Sequence, residues 1–228
     1  EGDGLIDYVD GRRDLVAGVI RAIGDPAARF AEDDLRTLRA VRFATRLGFD
    51  IDAATWTALV AATSGIERIS GERVRDELTR IWTSGGAARG LDLLLDAGLL
   101  QRVLPEVASM KGVDQPPEYH PEGDVWDHVK LMMGAVDELD DPSPTLAWGV
   151  LLHDIGKPST FQAAGAGSSR IRFNGHDTRG AEMVESIAGR LRFSNQDRDR
   201  IVALTAHHMR FRNVRDMRLS KLKRFLRE

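Results

Sequence analysis

From Arg12 to Met209 the apolar residues recur mostly at three- and four-residue spacing, interrupted at short intervals by glycine, proline or a capping Asp or Ser. A helix returns side chains to one face about every 3.6 residues, so each uninterrupted stretch predicts a short amphipathic helix. The spacing predicts helices over residues 12–23, stopped by Gly24-Asp25-Pro26, over 32–47, stopped by Gly48, and over 52–62, with Asp52 as its cap. A helix over 70–82 starts at a capping serine and ends at Ser84-Gly85-Gly86; helices over 87–97 and 99–104 follow, the last stopped by Pro105. Residues 111–124 (KGVDQPPEYHPEGD) hold three prolines and two glycines and mark a linker or ordered loop, the candidate domain boundary. Helices resume over 124–139, 144–154, 176–192, 194–209 and from Leu219 onward. Between Thr160 and Phe173 two short segments flank a Gly/Ala/Ser stretch, which predicts a small β-hairpin with a loose tip. The opening Leu5-Ile6-Asp7-Tyr8-Val9-Asp10 predicts the last strand of an upstream unit. The expected fold class is all-α, a helical bundle with a small β-hairpin insertion.

The chain's 228 residues, 42% of them hydrophobic, suit one large globular domain or two small ones. No apolar run reaches the roughly 18 residues of a membrane span, and the first residues lack the basic and apolar regions of a signal peptide. Cysteine is absent, so no disulfide partner and no thiolate ligand exist, which suits the cytoplasm. Any metal must be held by imidazole and carboxylate. The net charge is −3, yet residues 186–228 carry twelve Arg or Lys against four Asp or Glu. That stretch is open to two interpretations, a phosphate-binding surface or a solvated helix face. The chain begins at Glu1 and stops within a helical pattern, the expected appearance of an internal piece of a longer protein.

Six histidines are present, and five of them, His128, His153, His176, His207 and His208, fall on or at the ends of predicted helices in the second half. Neutral imidazole ligates iron, manganese, zinc and similar ions, and a carboxylate can bridge two of them. His153 and Asp154 are adjacent where an apolar helix ends before Gly156-Lys157-Pro158. Neighbouring helical residues point about 100° apart, so such a pair serves one centre only from a helix end or from both sides of an ion. One histidine alone is more simply an ordinary surface or core residue; five with a carboxylate in this order point to a divalent-metal site. His120, among prolines, reads as an ordinary loop histidine. Lys157 fits either a phosphate contact or a helix C-terminal cap.

The segments Trp126-Asp127-His128-Val129, Leu151-Leu152-His153-Asp154-Ile155-Gly156-Lys157-Pro158, Asn174-Gly175-His176-Asp177 and Ala206-His207-His208-Met209 together resemble an HD domain over about residues 124–228. The resemblance implies a site for one or two divalent ions such as manganese, nickel or iron, used for phosphoester hydrolysis. It implies His128, His153 and Asp154 as the first metal shell, with His153 and Asp154 catalytic. His176, His207 and His208 resemble the added ligands of two-metal variants, with Asp154 bridging. The family usually adds a later aspartate, for which Asp216 is the available residue.

In the first half, Arg39, Arg42 and Arg46 share a helix face, and Asp33 and Arg36 lie three apart. An Asp–Arg pair can read a nucleobase edge, one accepting and the other donating; an ion pair on a solvated helix explains the same spacing. Gly11-Arg12-Arg13-Asp14, Glu32-Asp33-Asp34-Leu35-Arg36 and Glu72-Arg73, in that order, resemble the later motifs of the class II tRNA nucleotidyltransferase and poly(A) polymerase family over about residues 5–110. The resemblance implies that Asp33 and Arg36 form a protein template for the base of incoming CTP or ATP, with Arg39 beside them as a further nucleotide contact. It implies a hinge at Gly11 and Asp14, and tRNA as partner. The family's head, whose paired aspartates hold magnesium, has no counterpart in this sequence, so the chain as given is expected not to transfer nucleotides.

The expected organisation is therefore 1–30, the end of the head and a linker helix; 31–110, a helical neck bundle; and 111–228, a helical HD domain. The expected function is that of a CCA-adding tRNA nucleotidyltransferase carrying a phosphohydrolase. A poly(A) polymerase of the same family, or an RNA-binding module with an inert HD fold, are the alternatives.

Overall fold

A computed structural model describes residues 6–165, 170–210 and 217–219. The chain is predominantly helical. Helices α1 (Gly11–Ala17), α2 (Pro26–Glu32), α3 (Arg36–Leu47), α4 (Ala53–Ala62), α5 (Gly71–Thr83) and α6 (Ala87–Asp96) build the first part, with a 3-10 segment at Thr63–Arg68. Short α7 (Leu100–Val103) and α8 (Pro105–Ala108) lead into the proline-rich loop. Then come α9 (Val125–Asp137), α10 (Pro144–Leu152), α11 (Lys157–Thr160), α12 (His176–Arg190) and α13 (Asn195–His207).

Local chemistry explains most boundaries. Asp25, Asp52, Asp124, Ser143 and Ser194 each accept a backbone N–H from the first turn of the helix they precede. Pro26 and Pro144 occupy the first helical position, where a missing N–H costs nothing. Gly48, with φ of 66°, ends α3 in the left-handed conformation.

The expected helix over 12–23 is interrupted. Gly18 turns left-handed (φ 68°), and Val19–Ile20 (β1) pairs in parallel with Asp50–Ile51 (β2), Val19 opposite Asp50 and Ile20 opposite Ile51. The expected helix over 32–47 also divides, because Asp33 is extended (φ −154°) and its carboxylate accepts from the Leu35 amide. No strand forms over residues 6–10; there the Asp7 carboxylate accepts from the amides of Val9, Gly11 and Arg12. The hairpin between Thr160 and Phe173 reduces, among described residues, to an antiparallel bridge between Gln162 and Arg172.

One continuous apolar core joins the elements, with Leu38 and Val41 of α3, Leu78 and Ile81 of α5, Leu91 and Leu94 of α6, Val129 of α9 and Leu151 of α10 fully buried. Trp82 and Trp148 meet edge-on with ring centroids 6.2 Å apart, and the Trp148 indole donates to Thr79 Oγ1 at 2.9 Å. Each such buried side chain contributes about 1.5–3 kcal/mol by removal from water. Glycine permits two close approaches that shape the second half. A Cβ at Gly149 would lie 2.7 Å from Leu204 Cδ1, and one at Gly156 would lie 2.1 Å from the His176 carbonyl oxygen. The start of α12 is thereby brought against the turn that follows α10.

Candidate metal centre

Three helix termini and the first turn of α9 converge at that turn. His153 is the C-terminal cap residue of α10, His176 opens α12, and His208 is the cap residue of α13. His128 faces them from α9. At the centre is Asp154, only 2% exposed. Its Oδ2 lies 3.1 Å from His153 Nε2 and 3.7 Å from His128 Nε2; its Oδ1 lies 3.5 Å from the Nε2 atoms of both His176 and His208. His128 Nε2 is 3.2 Å from His153 Nε2, and His176 Nε2 is 3.1 Å from His208 Nε2.

The outer nitrogens show which form these rings take. His153, His176 and His208 present Nδ1 to the backbone carbonyls of Val150, Phe173 and Thr205 at 2.7, 2.8 and 2.7 Å. A carbonyl only accepts, so Nδ1 carries the proton and, in a neutral ring, Nε2 keeps a lone pair. His128 does the same toward Glu122 Oε1 at 2.6 Å. Two lone pairs facing each other across 3.1–3.2 Å repel unless a cation lies beside both. The separations also match ligand-to-ligand edges of about 3.0–3.4 Å around an ion with metal–nitrogen bonds of about 2.0–2.1 Å. The donor set therefore fits two divalent ions, His128, His153 and Asp154 Oδ2 serving one and His176, His208 and Asp154 Oδ1 the other.

At His128 and His176 the electrostatics agree with this fit. Burial depresses the His128 and His176 pKa values, which keeps both rings neutral and available as ligands. Burial also opposes charge on His153, but the Asp154 carboxylate outweighs it and raises that pKa. Asp154 is penalised by burial yet held well below the usual carboxylate range, chiefly by its proximity to His153, with His208 and the Lys157 ammonium adding to the effect. The Lys157 ammonium, 2.7 Å from Asp154 Oδ2 and 2.6 Å from Gln115 Oε1, is buried beneath the site. It caps no helix.

His207 does not join the centre. It follows Ala206 on α13, about 100° around the helix from His208, and is exposed while His208 turns inward. Asp216 lies outside the described residues, as does most of the basic stretch beyond Arg210. Three participants were not singled out as parts of this centre from sequence. Gln115 and Glu122 come from the proline-rich loop, where no periodicity marks them; Lys157 follows Asp154 by three residues, a spacing that does signal an ion pair. His120 is tied to the same loop carboxylate, its Nδ1 3.0 Å from Glu122 Oε1. Burial pushes Glu122 up, but hydrogen bonds from His120 and His128 bring it down to about 2.

Family models match in two blocks: residues 48–111 match one described as a probable RNA and SrmB-binding site of polymerase A, and residues 125–228 match the HD domain. A multifunctional CCA protein of Alkalilimnicola ehrlichii is 35% identical over 229 residues, covering 97% of this chain and 53% of its own length. An A-adding tRNA nucleotidyltransferase of Deinococcus radiodurans is 38% identical over 215 residues, covering 92% of this chain and 48% of its own length. The chain belongs to the tRNA nucleotidyltransferase and poly(A) polymerase family. It spans about half the length of the curated relatives it matches.

The first-half residues singled out from the sequence are placed as follows. Asp33 ends α2 and pairs with Arg73 at 3.1 Å, while Arg36 opens α3 and pairs with Glu32 and, at 2.8 Å, with the Arg29 carbonyl. Their side chains do not pair with each other, although the Arg36 amide donates to the Asp33 carbonyl at 2.9 Å. Arg39 is exposed one turn on. Arg42 is turned inward to Glu77 at 3.1 Å, so it leaves the exposed arginine face to Arg39 and Arg46. Asp14 is buried and receives Arg21 Nε at 2.9 Å, and Gly11 begins α1. No described helix is long and apolar enough to cross a membrane.

Proposed function

We propose that the second half is a divalent-metal phosphohydrolase within a tRNA nucleotidyltransferase whose first half reads the incoming nucleotide. The observation that supports the hydrolase most directly is the meeting of four Nε2 atoms, in two close pairs, on opposite oxygens of one buried aspartate. His128, His153, His176, His208 and Asp154 would hold the ions, of which manganese, nickel and iron suit the imidazole and carboxylate donors. Bound there, they would supply Lewis acidity at neutral pH, activating water and screening charge on phosphate oxygens. The chain's own part is orientation. The Nδ1 partners fix each ring, and Lys157, held by Gln115, anchors the Asp154 carboxylate through Oδ2, the oxygen shared with His128 and His153. We propose 2′,3′-cyclic phosphates, nucleotide 2′-phosphates or similar compounds as its substrates, on the HD-domain resemblance. The test is metal analysis of the purified chain followed by hydrolysis of a generic phosphodiester with added manganese or nickel. Two bound equivalents and activity lost in Asp154→Ala are expected; no uptake and no hydrolysis would leave an inert HD fold.

For the neck, we propose that Asp33 and Arg36 exchange their present partners, Arg73 and Glu32, for the base of CTP or ATP, with Arg39 adjacent and a hinge at Gly11 and Asp14. Their position between α2 and α3, half-buried but reachable, supports this, as do the CCA- and A-adding relatives. tRNA is the proposed partner, magnesium the proposed cofactor of the transferase and the cytoplasm the proposed location. In the full-length protein, Asp33→Ala and Arg36→Ala should erode discrimination between CTP and ATP in single-nucleotide incorporation; unchanged selectivity removes the template assignment.

A further inference from the structure

Of the four converging histidines, His128 is held differently. His153 and His208 follow helix C-termini, where carbonyls lack intrahelical partners, and each binds the carbonyl three residues back. His176 opens a helix and binds the carbonyl of Phe173, which precedes it. His128 is inside the first turn of α9, where backbone carbonyls point along the helix to amides four residues on. Its Nδ1 is met by a loop carboxylate and not by a carbonyl of its own turn. Glu122 Oε1 takes the His128 Nδ1 at 2.6 Å and, on the same oxygen, His120 Nδ1 at 3.0 Å. The His120 ring stands edge-on to His128 with centroids 4.8 Å apart.

We infer that Glu122 is a positioning residue: pinned by His120, it fixes His128 as the Nδ1–H tautomer and so aims the Nε2 lone pair at Asp154. An acceptor at Nδ1 excludes the flipped or Nε2–H ring, which would present a C–H or an N–H to the centre instead of a ligand. The role of a loop with three prolines follows from this: it delivers to α9 the acceptor for the His128 Nδ1. Loss of such a partner typically weakens metal binding about 10–100-fold. The consequence for metal binding rests on the two-cation proposal; the tautomer does not.

Two measurements separate these. In metal-free protein labelled with ¹⁵N-histidine, His128 should show the Nδ1–H tautomer. Glu122→Leu, which removes the acceptor, should convert it to a mixture or to Nε2–H, whereas Glu122→Gln, which retains an acceptor oxygen, should hold it. In titration with manganese or nickel, Glu122→Leu should weaken one of two equivalents about 10–100-fold and leave the other in place, with Glu122→Gln between it and the parent. An unchanged His128 tautomer in Glu122→Leu overturns the inference. A changed tautomer in a parent chain that takes up no metal supports it and overturns the two-cation proposal instead. Should Glu122→Leu fail to fold, His120→Ala carries the test: freeing one side of the carboxylate should loosen the His128 tautomer, and no change there overturns the inference.

Discussion

Gly156 shows how one missing methyl group can decide a site. A Cβ there would stand 2.1 Å from the His176 carbonyl oxygen and 2.7 Å from the Gly180 amide nitrogen, both backbone atoms that cannot swing aside. Gly156→Ala should therefore push the start of α12 away from Asp154, costing about 1–3 kcal/mol of stability and weakening the half-site of His176 and His208 more than that of His128 and His153. Urea denaturation and metal titration check the two effects. Adjacent histidines give a sharper contrast. His208→Ala should lose one bound equivalent and His207→Ala none, because the former lies 3.1 Å from His176 Nε2 and the latter faces solvent. Equal losses would place the ligand on the wrong residue of the pair. The sequence carries His153, Asp154, His176 and His208 on recognisable punctuation, each next to a helix end. It does not distinguish His207 from His208, since which of two neighbours turns inward depends on where α13 lies. Nor does it mark Glu122 or Gln115, whose contacts span the loop to α9 and α11 and leave no period.

At the scale of elements, caps and glycines made most boundaries legible. Asp52, Asp124, Ser143 and Ser194 stand where the helices begin, and Gly48 where one ends. Gly18 and Asp33 were less visible, because each interrupts an apolar pattern that remains helical in spacing on both sides. The β1–β2 pair is two residues per strand, too short for alternation to register. Asp52 offers a test of capping. It accepts from the Thr55 amide at 3.1 Å and pairs with Arg21, linking α4 to β1. Those bonds, the Thr55 amide first and the Arg21 charge after it, hold its carboxyl below the usual range despite the opposing effect of burial. A depressed folded pKa means stability that is complete above the unfolded carboxylate pKa of about 3.9 and is lost as pH falls through the folded value. Asp52→Ala should thus cost about 1 kcal/mol near neutrality, and that difference should shrink as urea titrations are repeated below about pH 4. A gap that stayed constant with pH would show that the carboxylate charge is not what caps α4.

Across the whole molecule, the candidate metal centre and the first-half helices are mechanically joined. Trp148 lies on α10, the helix that ends in His153, yet its indole donates to Thr79 of α5 and its ring meets Trp82. Arg190, at the end of α12, forms a two-pronged pair with Glu106 at 2.8 Å on both arms. Gly71, at the start of α5, lies so close to α12 that a Cβ would be 2.1 Å from the Arg190 carbonyl oxygen. The helices that carry His153 and His176 are thus the same helices that brace α5 and the Glu106 turn. Ligand binding to the folded state adds RT ln(1 + [L]/Kd), about 2.7 kcal/mol for one site at a free-ion concentration a hundred times Kd. Because the core is continuous, that stabilisation should reach α3 and α5 and not stop at the centre. Removing metal with a chelator should lower a single melting transition, followed by circular dichroism over the whole chain and by tryptophan fluorescence, to which Trp82 and Trp148 at the junction contribute with Trp56 and Trp126. Trp148→Ala, expected to cost about 3–5 kcal/mol, should split that transition in two, with chelator moving only the one that contains the histidines. If the parent already melts in two steps and chelation shifts one of them alone, the seam through Trp148, Arg190 and Gly71 transmits no stability between the halves.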